Sequence, residues 1–406
     1  MSAEMERSGG LRVAMIGQRG VPATFGGIEH HVEQLGWRLA ARGHEVTVFC
    51  RTNYVTDRQP TYRGMRLRHL PTVSSKHLDA IVHSALSTLS ALAGRFDVIH
   101  YHALGPGLLT PLPRCLSRAR VVQTIHGLDN ERAKWGLGAK AVLTSAAWLS
   151  ARVPDATIVV SQALARHYRS RYGRSALHIP NGVNEPPARP DPAEITLRWG
   201  LTKGSYLLFV GRLVPEKAPD LLVRAFREIG GDRRLVIAGD SCFTDGYAAD
   251  VRQQAAADPR VLFVGYVYGQ SLAELYNNAA GFVLPSSLEG FPLTLLEAAS
   301  YGTPIVASDI PPHVEVLGHD GHGHRLFPSG DKDGLVSALH RCLADQPAEK
   351  MGGAATGRQV LRRYRWDDVA AATEQAYLRL VHGRCAGTDD EPSIGSTLEP
   401  VRLRRP

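Results

Sequence analysis

Residues 286–309, SSLEGFPLTLLEAASYGTPIVASD, follow an apolar run that breaks into a polar turn, and within them a helix begins and a second apolar run follows. Pro292 suits a first helical turn, where its missing N–H would be unpaired anyway. Gly302 suits the stop, because glycine tolerates the left-handed backbone that follows a last turn. The spacing therefore predicts a helix from about Pro292 to Tyr301 inside a β-α-β unit. Its N-terminus presents free N–H groups and the positive end of the helix dipole beside Glu289, Gly290 and Phe291, where an anion or a polarised hydroxyl can be held. Glu297 lies about 9 Å further along the axis at helical rise. Two carboxylates so spaced can grip two parts of one extended ligand; the plainer alternative is one capping and one exposed glutamate.

Upstream of this stretch the same alternation recurs. LRVAMIG (11–17) reads as a buried parallel strand, and the loop QRGVPATFGG follows. The next segment places Ile28, Val32, Leu35 and Leu39 on one helical face and stops at Gly43 before the strand HEVTVFC. Gly26 and Gly27 allow a ligand to approach the start of that helix, although the spacing is not G-x-G-x-x-G. Strands and helices continue to about residue 185, where the proline-rich EPPARPDP marks a hinge, and the pattern restarts with SYLLFVG. The expected architecture is α/β: two Rossmann-like doubly wound domains facing a cleft, at 11–185 and 186–364. A late amphipathic helix at 365–382 is expected to return to the first domain, and residues 1–10 and 386–406 read as disordered tails.

Apolar residues make up 44% and charged residues 21% of the 406-residue chain, which are ordinary globular values. No apolar run is long enough to span a membrane, and the acidic start MSAEMERSGG argues against a secretory signal, so a cytoplasmic location is expected. The cysteines at 50, 115, 242, 342 and 385 include no C-x-x-C pair and suggest neither a disulfide framework nor zinc. The net charge of +8 is uneven: residues 1–185 carry 23 Lys+Arg against 12 Asp+Glu, or +11, and the remainder −3. A basic first half suits a phosphate-bearing partner or an anionic membrane surface. With no zinc finger, RNP-type stretch or helix-turn-helix, nucleic acid is not an expected partner.

The ordered motifs GGIEHHVEQL with RGHEVTVF, HIPNGVN, VGRLVPEKAPDLLVRAF, VLFVGYV and LEGFPLTLLEAASYGTPIVASD resemble the retaining glycosyltransferases of family 4, which have the GT-B architecture. The match covers roughly residues 11–382. The stretches GQRGVPATFGGIEHHVEQL and HGLDNERAKWG look like a subgroup that builds bacterial surface polysaccharides. The resemblance implies transfer of a sugar, hexosyl or rhamnosyl, from a nucleotide-diphosphate donor to a glycan or lipid-linked acceptor, with no cofactor. Arg212 and Lys217 would then hold the diphosphate, with Gly26 and Gly27 meeting it from the other side. A guanidinium fork and an ammonium just past a strand end suit that role. Glu289, Gly290, Phe291 and Pro292 would contact the donor sugar, Glu297 the ribose, and Gly265 the nucleotide base. His126, after the strand VVQTI, matches a family histidine near the sugar and is, with Glu289, the expected catalytic residue.

Three positions depart from the family pattern: Ala218 and Pro292 stand where glycine is common, and Ser300 replaces a frequent alanine. No metal ligands are expected, because GHDGHGH (318–324) has the composition of a turn. His30 and His31 are placed on the polar face of their helix. The helix from His77 to Phe96 is expected to pack in the core rather than on a membrane. Two rival functions remain: a GT-B sugar-nucleotide epimerase, and a sugar-nucleotide-binding protein without turnover.

Overall fold

The computed structural model describes residues 10–383, apart from residue 25 and residues 55–57, 74–77, 129–136 and 242–243. The tails, Gly10 aside, most of the HGLDNERAKWG stretch, Cys242 and Cys385 therefore lie outside the described residues.

The strands form two sheets. The first contains β1 (Arg12–Ile16), β2 (Glu45–Arg51), β3 (Thr61–Tyr62), β4 (Met65–Leu70), β5 (Val98–His102), β6 (Arg120–Ile125), β7 (Ala156–Val159) and β8 (Leu177–His178). Their order is β3-β4-β2-β1-β5-β6-β7-β8, parallel throughout except for the β3/β4 pair. The second sheet contains β9 (Tyr206–Val210), β10 (Arg234–Ala238), β11 (Val261–Gly265), β12 (Gly281–Leu284), β13 (Ile305–Ser308) and β14 (His324–Phe327). Its order is β11-β10-β9-β12-β13-β14. Near-continuous apolar strands such as RVAMI and YLLFV require helices on both faces, which the intervening segments supply. In each sheet the strand order reverses at the first strand, between β1 and β5 and between β9 and β12. Loops leaving those strands at their carboxyl ends bound the crevice where ligands bind in such sheets.

The helix Gly27–Ala41 buries Val32, Leu35 and Leu39 against the first sheet, as its 3.6-residue period predicts. The helix Trp366–His382 lies beside it: Arg38 Nε donates to Asp367 Oδ1 at 2.8 Å, and Trp366 and Tyr377 are buried in the same cluster as Val32 and Leu35. The chain crosses back just before, where Val183 N–H donates to the Tyr364 carbonyl at 2.7 Å. A single buried apolar cluster joins the two halves, with Leu104, Ile125 and Leu164 of the first continuous with Phe291 and Leu295 of the second.

The helix Asp79–Leu92, shorter than the expected His77–Phe96, packs on the first sheet as expected but through an unexpected face. Its buried face is made of His83, Ser84, Ser87, Thr88 and Ala91, while Leu86 and Leu89 are exposed. Small side chains let the helix approach the sheet closely, and Thr88 Oγ1 meets the Tyr101 hydroxyl there at 2.8 Å.

Candidate functional site

The loop after β1 is held by two glutamates of the helix it precedes: Glu29 accepts from Arg19 N–H at 3.0 Å and Glu33 from Ala23 N–H at 2.7 Å. This positions Gly26, at φ +105°, as the residue from which the helix starts. A Cβ on Gly27 would lie 3.3 Å from Leu293 Cδ1, so the N-termini of the helices Gly27–Ala41 and Leu293–Ser300 meet across the crevice. The second helix is shorter than the sequence predicts. Pro292 is its cap, at ψ 89°, rather than its first turn, and Gly302 takes the expected left-handed backbone at φ +75°.

After β9 the chain makes a short turn, Pro215–Lys217, and Ala218 closes it in the left-handed region at φ 49°, ψ 44°. That conformation explains why glycine is the common residue there, since the Cβ clashes with backbone at a cost of about 1 kcal/mol or more. Ala218→Gly is expected to raise stability by up to about 1 kcal/mol in urea unfolding, and a loss of stability would contradict this source of strain.

The turn delivers Lys217 to Glu289. Lys217 Nζ donates to Glu289 Oε1, which also accepts from Ser286 Oγ at 2.8 Å. Burial pushes the Glu289 carboxyl up, but the Lys217 ammonium, His313 and the two hydrogen bonds outweigh it and hold the group below the usual carboxylate range. Ser287 N–H donates to the Glu216 carbonyl at 2.9 Å, tying the two loops together. Arg212, Glu216, Lys217, Glu289 and Gly290 line a cavity of about 20 Å³ that is closed on the far side by Gly127 and Leu128. Gly290 sits so near the first half that a Cβ on it would lie 1.8 Å from the His126 carbonyl oxygen. The expected Arg212, Lys217, Glu289 and Gly290 thus come together, beside the backbone of His126. A larger groove of about 850 Å³ lies elsewhere, between β7, β8 and the Trp366–His382 helix, and contains none of these residues.

Phe291 is buried and packs edge-on against Tyr364. Glu297 and Gly265 stand outside the small cavity. Gly265 ends β11 at φ +68°, two strands from β9, and accepts from Gly239 N–H at 2.7 Å. Glu297 Oε2 accepts from the Tyr276 hydroxyl at 2.9 Å. Burial pushes its carboxyl up to about 7 from an ordinary 4.5, against the opposing effect of the Tyr276 hydrogen bond. The folded chain therefore binds this proton more tightly than the unfolded chain, and the stability it gives is full below pH 4.5 and lost as pH rises to about 7. Glu297→Gln carries no such proton. Its melting temperature relative to the parent is expected to climb across that window and level off above it; a flat difference would remove the desolvated carboxyl.

The histidines show the largest correction. His31 is 3% exposed rather than solvated. It falls between Ile28 and Leu35 at helical spacing, so it belongs to the apolar stripe. Its Nδ1 meets Asn181 Oδ1 at 2.8 Å, and its ring packs edge-on to His126 at 4.6 Å. His102 Nδ1 lies 3.3 Å from His126 Nε2. Burial lowers His30 and His31 to about 4, and His102 well below the ordinary value. Sequence reading missed His102, Asn181, Ser286 and Tyr276. Only His102 carried a signal: in VIHYH, His100 and His102 are two apart and so share a face of β5.

Two Rossmann-like sheets meeting at a crevice, with the Lys217–Glu289 pair at the switch point of the second, have the GT-B architecture that the solved structures below share. Residues 25–185 match the family model described as Glycosyltransferase Family 4, and residues 204–345 the model described as Glycosyl transferases group 1. The chain is thus a glycosyltransferase of the family-4 type. It is 27% identical over 390 residues to an uncharacterized glycosyltransferase of Methanocaldococcus jannaschii, covering 90% of this chain and 98% of that one. It is 28% identical to a phosphatidyl-myo-inositol mannosyltransferase of Mycobacterium leprae, covering 90% and 96%. Among solved structures, sucrose-phosphate synthase from Thermosynechococcus elongatus superposes with a TM-score of 0.77 at 24% identity, over 92% of this chain and 100% of that one. Anabaena HepE in complex with UDP-glucose gives 0.75 at 17% identity, over 90% and 99%. Neither comparison supports the epimerase reading.

Proposed function

We propose that the protein is a retaining glycosyltransferase that moves a sugar from a nucleotide-diphosphate donor to a glycan or lipid-linked acceptor in cell-surface polysaccharide synthesis. The observation that carries this reading is the Lys217–Glu289 pair beside Arg212, closed by Gly290 against the backbone of His126. Arg212 and Lys217 hold the diphosphate and stabilise it as it leaves. Glu289 accepts from hydroxyls of the donor sugar, with Gly290, Phe291 and Pro292 around it. Glu297, one helix face away, accepts from the ribose diol. Gly265 takes the base, since a nucleotide laid across the strand ends reaches β11. Gly26, Gly27 and His126 complete the site from the first sheet. The bond between the anomeric carbon and the β-phosphate oxygen breaks, the bond to the acceptor oxygen forms on the same face, and the acceptor proton goes to that departing phosphate oxygen. No cofactor enters this sequence.

A panel of UDP-, GDP-, ADP- and dTDP-sugars tests the reading, with release of nucleotide diphosphate followed with and without lipid-linked acceptors. Acceptor-dependent release and a product of unchanged anomeric configuration by NMR are expected. A donor isomerised without any acceptor would overturn transfer, and an inverted product would overturn retention.

Among the relatives, a phosphatidyl-myo-inositol mannosyltransferase is named for a lipid and a glycogen synthase for a glycan, so both acceptor classes occur among them. The first domain's surface favours a lipid acceptor: Leu89, Leu116 and Trp148 are 59%, 68% and 50% exposed, the first two on helices in contact, and Arg152 lies over the Trp148 ring at 4.7 Å. Exposed apolar side chains with basic neighbours suit the face of an anionic leaflet, on its cytoplasmic side. Co-sedimentation with phosphatidylglycerol vesicles, reversed by salt and weakened about tenfold in a Leu89→Ser/Leu116→Ser/Trp148→Ser variant, is expected. Binding that ignores both salt and these substitutions would refute this surface.

A further inference from the structure

The three histidines behind the cleft come from three elements: His31 from the helix Gly27–Ala41, His102 from the end of β5, and His126 from the loop after β6. One ring nitrogen from each lies within 4.8 Å of the others. One pair, His102 Nδ1 and His126 Nε2 at 3.3 Å, matches the separation of about 3.4 Å between two ligands of a tetrahedral ion with bonds of about 2.05 Å. We propose that His31, His102 and His126 form a binding site for one zinc-class divalent cation.

Two further observations favour an ion over ordinary packing. An amide oxygen can only accept, so the contact with Asn181 Oδ1 puts the His31 proton on Nδ1 and leaves the Nε2 lone pair for a ligand. Such an outer partner that fixes the tautomer is the usual accompaniment of a metal-bound imidazole. His31 Nε2 is buried and has no hydrogen-bond partner among the described residues. His100, by contrast, stacks on His102 at 4.2 Å yet uses both of its nitrogens, on the Tyr377 hydroxyl and Thr124 Oγ1, and so stays outside the group. Imidazole ligands suit zinc, copper and nickel rather than magnesium or calcium.

The assignment stands on this geometry and not on the transfer reaction. Zinc chloride titrated calorimetrically into untagged, metal-stripped full-length protein should bind one ion per chain at this site, and cobalt(II) should give the intense visible absorption of a four-coordinate centre. His31→Gln and His102→Gln should each weaken binding more than about 100-fold, and Asn181→Ala by about 10- to 100-fold. His322→Gln, in the surface turn, should leave it unchanged. No saturable zinc or cobalt binding by the parent protein would overturn the site, whatever the variants do. So would binding that survives in both His31→Gln and His102→Gln. Because the transfer reading uses His126, saturating zinc should also lower turnover and EDTA restore it. Binding without inhibition would count against His126 in transfer and leave the metal site intact.

Discussion

Replacing Lys217 by alanine is expected to lower kcat/KM for the sugar nucleotide by about 10²- to 10³-fold, the usual effect of removing one positioned charge partner from a developing anion. Stability should fall with it. The Lys217 and Glu289 side chains are only 15% and 9% exposed, so the substitution leaves a buried carboxylate with Ser286 as its remaining side-chain donor. Breaking such a pair on one side costs about 3–5 kcal/mol, whereas removing both charges is close to neutral. The double variant Lys217→Ala/Glu289→Gln should therefore recover most of the stability and none of the turnover. The pH dependence has a defined sign. Glu289 is held below its ordinary value of 4.5, so its pair contributes stability above that pH and loses it as pH falls through the folded-state value. In Lys217→Ala the largest lowering influence is gone, and the acid limb of the stability curve should move to higher pH. Unfolding curves from about pH 3 to 8, read beside donor kinetics, separate the two effects. A single variant that loses stability yet turns over normally would remove Lys217 from the diphosphate.

What was legible in the sequence followed from short-range periodicity. The stripe Ile28, Val32, Leu35 and Leu39 predicted the first helix, and the apolar runs ending in glycine predicted parallel strands whose carboxyl ends meet at a crevice. Arg212, Lys217 and Glu289 were legible as chemistry because each follows a strand. Their pairing was not, since 72 residues separate Lys217 from Glu289 and only the strand order brings β9 beside β12. The His31 environment was misread because a histidine at a stripe position looks polar by type, whatever its spacing. The face that the Asp79–Leu92 helix buries was not legible, because small and polar side chains pack on the sheet while Leu86 and Leu89 stay exposed. The edge pair β3/β4 and the long helix Gln346–Arg363 carry too little apolar contrast to stand out.

Gly290→Ala is expected to lower kcat by about 10²-fold in a protein that still folds, with a lowered melting temperature. The added Cβ would lie 1.8 Å from the His126 carbonyl oxygen, 2.6 Å from its carbon and 3.1 Å from Gly127 Cα. These are backbone atoms at the end of β6, so no side chain can rotate out of the way. Real Cβ atoms essentially never approach a heavy atom within 3.0 Å, and the two halves must therefore part by more than 1 Å. Gly290 does not have a left-handed backbone, so alanine adds no torsional strain, and the loss of glycine's unfolded-state freedom offsets part of the clash. The displacement falls where the Arg212–Lys217–Glu289 cavity meets Gly127, and misplacing a reacting group by about 1 Å is enough for a 10²-fold loss. Gly246→Ala, with nothing within 4 Å of its Cβ, should retain full turnover and serves as the control. A wider particle by small-angle scattering should accompany the loss in Gly290→Ala. Unimpaired turnover would mean that the reaction does not need the His126 backbone seated on Gly290, and a protein that simply melts would assign the contact to folding rather than to closure.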